Sequence, residues 1–96
     1  MNNLISVVVT CYNHEKYIEQ CLRSVFNQTY TNIELIVLDD GSTDSSTQII
    51  QEVLKDSPFE TRFETHENLG VVKNRNLGLE LIRGDYLLFV DSDNYL

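Results

Sequence analysis

The sequence has 96 residues, which suits one modest domain and leaves little room for a second. Seven Lys and Arg residues against fifteen Asp and Glu residues give a formal net charge of −8. A chain this acidic lacks the basic face with which nucleic-acid-binding proteins neutralise phosphates, so we exclude that class. An acidic chain that binds an anionic ligand such as a nucleotide needs a cation to offset its own charge.

The cysteines and the amino terminus are uninformative about function. Cys11 and Cys21 lack the C-x-x-C spacing and the His partners of a zinc or redox site, so we interpret them as reduced, buried thiols. The opening "MNNLISVVV" has no cationic segment and only a short apolar run, unlike a signal peptide or a membrane span. We therefore expect a cytoplasmic protein.

Four segments of the chain have strand patterns. Residues 4–10, 33–40 and 86–93 begin with nearly unbroken apolar, often β-branched runs, which are typical of strands covered on both faces. Residues 60–67, "ETRFETHE", alternate more strongly between apolar and polar side chains, as an edge strand does.

Helical periodicity fills the intervals between these strands. Apolar residues recur as pairs four apart over 13–28 and 42–56, and the apolar spacing of 70–84 also predicts a helix. The second segment opens on "STD", which can supply N-cap side chains, and Gly84 stands where a C′ glycine would end the third.

The order β-α-β-α-β-α-β predicts an α/β fold, with a parallel sheet and helices on both faces. Right-handed crossovers in a doubly wound sheet place the first strand centrally, which gives the strand order 3-2-1-4 of a Rossmann-like fold. Ligands bind such sheets at the carboxyl ends of the strands. The residues at those ends are therefore the candidates for function.

Polar and acidic residues follow three of the predicted strands: Thr10, Cys11, Tyr12, Asp39, Asp40, Asp91 and Asp93. Carboxylates that converge on one edge of a sheet disfavour one another's ionisation unless a cation is bound. Asp91 and Asp93 are two apart, so in an extended segment both face one side and can bind Mg²⁺ or Mn²⁺. Asp39 and Asp40 point in opposite directions if extended, so one faces the ligand while the other holds the turn or caps the next helix.

Each acidic motif also has a simpler interpretation. "DDGS" is ordinary turn chemistry, and "DSD" can be a solvated acidic segment. Their shared position at the ends of parallel strands favours a site. Gly70 and Arg75, at the start of the third helix, fit an anion site, whereas Lys73 is interpreted as a solvated charge. His14 and His66 are interpreted as surface or loop residues.

Several separated blocks in this order resemble a known family. They are the T-x-Y-N turn, the helix end "SVFNQTY", "DDGSTD", N-x-G-x-x-x-x-R-N and the D-x-D at Asp91 and Asp93. Together they closely resemble the amino-terminal, nucleotide-binding half of family 2 glycosyltransferases, which are inverting enzymes with a GT-A fold. The resemblance covers about residues 4–94.

The resemblance implies roles for the residues at the strand ends. Thr10 and Tyr12 would border the nucleotide base, usually uracil, while Asp40 would hydrogen-bond the base and Asp39 would support the turn. Arg75 would lie near the donor site or brace its loop. Asp91 would approach the ribose or the water shell of the metal, and Asp93 would bind the Mg²⁺ or Mn²⁺ that bridges the diphosphate.

The implied reaction is transfer of a sugar from a nucleoside-diphosphate sugar, most often a UDP-sugar, to an acceptor hydroxyl. The acceptor would be a glycan or a lipid-linked molecule, and the resemblance implies that the whole enzyme lies in the cytoplasm or at the cytoplasmic face of a membrane. The metal would stabilise the leaving diphosphate, and a general base would take the acceptor's proton. In the family that base is an aspartate downstream of the D-x-D, so we expect it beyond Leu96.

We accordingly expect residues 1–96 to form a single donor-binding domain, incomplete at its carboxy terminus because it is truncated after the D-x-D, and inactive alone. The strand 86–93 would then present a bare apolar edge and promote self-association. The alternative function is a non-catalytic nucleotide-binding or interaction module of the same fold. A phospho-acceptor signalling domain fits poorly, because its acid pair follows the first strand.

Overall fold

The computed structural model describes residues 3–28, 30, 32–67, 73, 76 and 79–91, with the backbone alone at residue 91. Its strands are β1 (Ile5–Cys11), β2 (Ile33–Asp39), β3 (Glu60–Thr65) and β4 (Tyr86–Asp91). They form one four-stranded sheet in the order β3-β2-β1-β4. All three pairings are parallel, which confirms the predicted α/β sheet and its strand order 3-2-1-4.

The strands end level with one another at the carboxyl edge of the sheet, where ligands are expected. Cys11 of β1 pairs with Asp39 of β2, and Asp39 pairs in turn with Thr65 of β3. On the other side of β1, Thr10 pairs with Asp91 of β4. The register therefore brings the ends of all four strands to one line.

Both faces of the sheet are covered. Helices α1 (Ile18–Phe26) and α2 (Ser46–Val53) pack on one face, and α2 continues into a 3₁₀ turn, Leu54–Asp56. On the opposite face Val8, Ile36 and Leu38 are buried against the partly buried side chains of Leu81, Ile82 and Phe89. Residues 73, 76 and 79–81 are helical, which agrees with the predicted third helix.

The first helix begins later than its apolar pattern predicts, at Ile18 rather than residue 13. Asn13 has a φ of 53°, in the left-handed region that interrupts a right-handed helix. Its backbone N–H donates to Ser42 Oγ at 2.9 Å instead of entering a helix. Contacts with a distant loop thus override the local periodicity.

The second helix also begins later, so Ser42 and Thr43 are not N-caps as predicted. Ser45 occupies that position and makes no side-chain cap hydrogen bond. Asp44 performs part of the expected role, because its Oδ1 accepts a hydrogen bond from the Ser46 N–H at 2.9 Å. The Ser42 hydroxyl instead donates to Asp39 Oδ1 and accepts a hydrogen bond from the Asn13 N–H.

The interpretation of Gly84 as a C′ glycine is wrong. Helical structure ends at residue 81, and the only positive-φ glycine among the described residues is Gly41. Gly84 is instead needed for close approach, because a Cβ there would lie 2.5 Å from Ser6 Oγ and 2.8 Å from the Leu4 carbonyl oxygen. Because glycine has no side chain, the backbone just before β4 can pack closely against the start of β1.

Within the described ranges, no helix has the length and apolar character needed to cross a membrane.

Candidate functional site

Two loops lie at the carboxyl edge of the sheet, and hydrogen bonds join them. The loop after β1 contains Asn13, whose Oδ1 accepts a hydrogen bond from the Thr43 N–H at 2.8 Å. The next residue, His14, donates its N–H to Ser46 Oγ at 3.1 Å. These bonds tie the segment that carries Tyr12 to the loop that follows Asp40.

Glu15 completes the connection. Its N–H donates to Asp44 Oδ2 at 3.2 Å, and its Oε2 accepts from the Ser45 N–H at 3.0 Å. Burial alone would raise the pKa of Asp44, but hydrogen bonds from Ser46 and Glu15 outweigh it and lower that pKa. The carboxylate is thereby kept charged where α2 begins, next to the positive end of the helix dipole.

Tyr12 is carried outward by this pair of loops. The residue is 44% exposed, although the residue before it, Cys11, is buried. An exposed aromatic ring on a fixed loop offers a flat apolar surface on which a planar ligand can stack. The position fits the role that the resemblance implies for Tyr12.

Asp39 is fully buried, and the chain itself satisfies its carboxylate. Its oxygens accept hydrogen bonds from the Ser42 N–H at 3.0 Å and from the Ser42 hydroxyl. Two further hydroxyls, of Thr47 in α2 and Thr65 in β3, donate at 3.2 and 3.1 Å. Asp39 therefore holds the turn after β2 to both neighbouring elements.

Asp40 is also buried, with 4% exposure, but its environment differs. Its backbone N–H donates to the Cys11 carbonyl oxygen at 2.9 Å, which fixes the residue beside the end of β1. Its Oδ1 lies 3.2 Å from Nε2 of His66. Gly41 follows with a φ of 75°, so the chain turns away immediately after this carboxylate.

His66 was not predicted to belong to a site. The interpretation as a surface or loop histidine is right about the loop and wrong about the surface, because its side chain is only 18% exposed. It comes directly after β3, beside the end of β2, and the neighbour relation of these strands was part of the predicted topology. The sequence pattern placed His66 inside a strand over 60–67, so its position just past the strand end is known only from the structure.

The structure brings five of the predicted residues to this edge: Thr10, Tyr12, Asp39, Asp40 and the backbone of Asp91. Arg75 and Asp93 lie outside the described residues. Among the residues that are described, no group of three or more His, Cys, Asp or Glu side chains could hold a metal ion. The metal assignment to Asp91 and Asp93 thus remains a prediction.

Comparison with known proteins agrees with this geometry. The family model for glycosyl transferase family 2 matches residues 6–96. Over 93 residues the chain is 45% identical to an uncharacterized glycosyltransferase of Haemophilus influenzae, covering 97% of this chain and 37% of that protein.

Solved structures show the same fold. TarS 1-349 of S. aureus, in complex with UDP-GlcNAc, superposes with a TM-score of 0.85 at 37% identity, over 95% of this chain and 27% of that one. Glucosyl-3-phosphoglycerate synthase of Mycobacterium tuberculosis, in complex with Mn²⁺, UDP and glucosyl-3-phosphoglycerate, superposes at 0.76 with 27% identity, over 94% and 33%.

The chain thus spans between 27% and 37% of the length of these proteins. The matched part contains the described sheet, except for Ile5, and the loops at its carboxyl edge. Sequence, strand order and structural neighbours agree with the GT-A-type fold that the motifs predict. The chain belongs to glycosyl transferase family 2.

Proposed function

We propose that this chain is the donor-binding part of a metal-dependent inverting glycosyltransferase that uses a nucleoside-diphosphate sugar, in particular a UDP-sugar. The observation that carries the proposal is the placement of Tyr12 and Asp40 on two joined loops, just past the ends of the adjacent strands β1 and β2. Hydrogen bonds between the two loops hold an exposed aromatic ring and a buried carboxylate next to the same strand ends. This combination suits a nucleobase, which offers both a flat face and N–H donors.

Uracil is the proposed base. Its ring would lie against Tyr12 and Thr10, and its N–H would donate to the Asp40 carboxylate, which can only accept when ionised. Asp39 would act indirectly, since its oxygens hold the turn that positions Asp40. The UDP and UDP-GlcNAc bound by the two solved neighbours support this choice.

A divalent cation, Mg²⁺ or Mn²⁺, is proposed next to the diphosphate. Asp91 fits this role by position, because it ends β4 beside Thr10 at the edge where the nucleotide would lie. Asp93 is proposed as the second carboxylate ligand, and Arg75 as a residue near the donor. Such a cation supplies charge stabilisation for the leaving diphosphate and offsets the chain's own net charge of −8. The Mn²⁺ in the M. tuberculosis synthase complex supports a divalent ion.

The acceptor is proposed to be a hydroxyl of a glycan or lipid-linked molecule. The second candidate function is a non-catalytic nucleotide-binding or interaction module. It shares the donor site and differs in having no transfer step. Sugar transfer to any acceptor hydroxyl by the complete protein would exclude it. The single donor-binding domain over 1–96 and the cytoplasmic location remain predictions.

Calorimetry with UDP-GlcNAc, with and without Mn²⁺, tests the proposed donor site. We expect Mn²⁺ to strengthen binding at least about tenfold, and Asp93→Ala to remove that Mn²⁺ dependence. Asp56→Ala is the matched control, since it removes an acidic residue that pairs with Arg23 on the helical surface. Equal Mn²⁺ dependence in Asp93→Ala and wild type would contradict the metal assignment.

We also propose that β4 mediates self-association. In the described sheet β4 pairs with β1 alone, and Tyr86, Leu87 and Leu88 are 59%, 37% and 42% exposed. An edge strand with exposed apolar side chains invites pairing with another chain. Light scattering across a concentration series should show mass increasing with concentration in wild type and less in Leu88→Lys. A constant monomer mass in wild type would contradict this.

A further inference from the structure

Two consecutive residues at the end of β3 contact the two consecutive aspartates at the end of β2. Thr65 donates its hydroxyl to Asp39 Oδ2 at 3.1 Å. His66 places Nε2 3.2 Å from Asp40 Oδ1, and its backbone N–H donates to the Asp39 carbonyl oxygen at 3.2 Å. The end of β3 and the residue after it therefore contact both acids, one through a hydroxyl and the other through an imidazole.

The imidazole contact has an unusual geometry. Nε2 and Oδ1 are 3.2 Å apart, but their alignment falls short of hydrogen-bond geometry. Both ring nitrogens of His66 are buried and have no hydrogen-bond partner among the residues that the structure describes. A small rotation of the ring would align an N–H at Nε2 with Oδ1, because the two heavy atoms are already at contact distance.

The main chain fixes both partners of this contact. Asp40 is held to β1 by its N–H bond to Cys11, and His66 is held to β2 by its N–H bond to Asp39. Side chains on such anchored backbones can meet with little loss of conformational entropy. The imidazole therefore stands where it can set the direction of the Asp40 carboxylate.

We infer that His66 is a positioning residue for the nucleotide site, which orients the Asp40 carboxylate through Nε2 so that it can accept a hydrogen bond from a base N–H. The inference rests on the proposed function, because Asp40 must bind the base for His66 to matter. A carboxylate offers about four acceptor positions, so contact with Nε2 at one oxygen is compatible with a ligand N–H.

The geometry of the contact supports this role over a purely structural one. The contact between Asp40 and His66 is close but unaligned, as expected of a pair that completes its geometry when a ligand arrives.

Replacements at His66 can distinguish the effect of its Nε2 position from the effect of its ring shape. A glutamine amide nitrogen can occupy the place of Nε2, an asparagine amide nitrogen reaches only the place of Nδ1, and phenylalanine keeps a ring without nitrogen. We expect UDP affinity to fall about tenfold in His66→Phe and His66→Asn, and to stay within about threefold of wild type in His66→Gln. Calorimetry with UDP measures the affinity, and thermal unfolding identifies variants that lose the fold.

A double-mutant cycle with Asp40→Ala tests whether His66 acts through Asp40. We expect His66→Phe to weaken UDP binding about tenfold in wild type and less than about threefold in the Asp40→Ala background. Full additivity would overturn the positioning role, as would equal affinities of His66→Gln and His66→Asn at similar Tm. Failure of wild type itself to bind UDP would overturn the proposed function, which is a separate result from the behaviour of His66.

Discussion

The two ends of β2 each carry a buried carboxylate, and the contacts of these two carboxylates differ. Glu34 at the amino end accepts hydrogen bonds from Ser6 Oγ at 2.5 Å and from Arg83, through its backbone N–H at 2.6 Å and its Nε at 3.0 Å. Asp40, just past the carboxyl end, meets the His66 imidazole at 3.2 Å without hydrogen-bond alignment. Hydrogen bonds within the chain close the amino end, and the carboxyl end carries the proposed nucleotide site.

Hydrogen bonds and ion pairs at the amino end of β2 join neighbouring strands. We call the residues that make them the clasp: Ser6, Glu34, Glu60, Arg83 and Gly84. Arg83 also contacts Glu60 at 2.8 Å, and the Gly84 N–H donates to Ser6 Oγ at 2.8 Å. Burial alone would raise the pKa of Glu34, but hydrogen bonds from Ser6 and Arg83 outweigh it and lower that pKa. The clasp joins the entry of β4 to β1, β2 and β3, and therefore stabilises the sheet far from the proposed site.

The comparison shows that burial of a carboxylate does not by itself identify a functional residue. Asp39 and Glu34 are as buried as Asp40, yet their hydrogen bonds join neighbouring strands and turns, which gives them a structural role. Asp40 differs because it lies beside an imidazole at the edge that is proposed to bind nucleotide. If the structural and the binding acids divide in this way, substitutions in the two groups should have different effects.

The largest effect is expected at Asp39. Replacement by alanine leaves the hydroxyls of Ser42, Thr47 and Thr65 without their shared acceptor, so Asp39→Ala should lower the free energy of unfolding by about 3 kcal/mol. Urea denaturation measures this loss, with Asp40→Ala as the matched control. If Asp40→Ala cost more stability than Asp39→Ala, the assignment of Asp39 to structure would be wrong.

The next effect is expected at Gly84, in the clasp. An added Cβ would lie 2.5 Å from Ser6 Oγ and 2.8 Å from the Ser6 backbone nitrogen, so Gly84→Ala should cost about 2 kcal/mol of stability. Adding Ser6→Ala relieves the hydroxyl contact and should recover little, because the backbone contacts remain. UDP affinity at the opposite end should not change in the folded variant, and a large change would contradict the division between the two ends.

A smaller effect is expected at Asn13, which joins the two loops of the site. Asn13→Gly keeps the left-handed backbone accessible but removes the acceptor for the Thr43 N–H, at a cost of about 1 kcal/mol. UDP affinity should fall several-fold because Tyr12 and Asp40 are held less firmly. Asn13→Asp keeps an acceptor and should retain most of the affinity; if both variants bind equally well, the link between the loops is not needed.

The smallest effect is a pH dependence from Glu34. Because its pKa is lowered on folding, its contribution to stability is complete above its ordinary value of 4.5 and is lost as pH falls through the lowered value. The stability difference between wild type and Glu34→Gln should therefore be greater at pH 7 than at about pH 3. Urea denaturation at both pH values measures it, and an equal or greater difference at acid pH would contradict the sign.

Much of the fold could be predicted because β-branched runs and helical periods are local signals. The strand order followed from general rules of handedness and connection, and it was confirmed. The strand ends then located Thr10, Tyr12, Asp39 and Asp40 at one edge, and the motif resemblance supplied their roles.

What the sequence did not reveal depends on contacts between distant segments. Asn13 and Thr43 are 30 residues apart, and their hydrogen bond helps to decide where α1 begins. Gly84 has the spacing of a helix cap, but its close approach to Ser6, 78 residues away, explains it. His66 has no motif around it, and only the side-by-side ends of β2 and β3 place it beside Asp40.

Amide chemical shifts during a UDP titration test most directly whether the carboxyl end alone binds nucleotide. We expect the amides of Tyr12, Asp40 and His66 to shift as UDP is added with Mn²⁺, while those of Ser6, Glu34 and Gly84 remain unchanged. Shifts concentrated in the second group, or none in the first at millimolar UDP, would contradict the assignment of the nucleotide site to this end of the sheet.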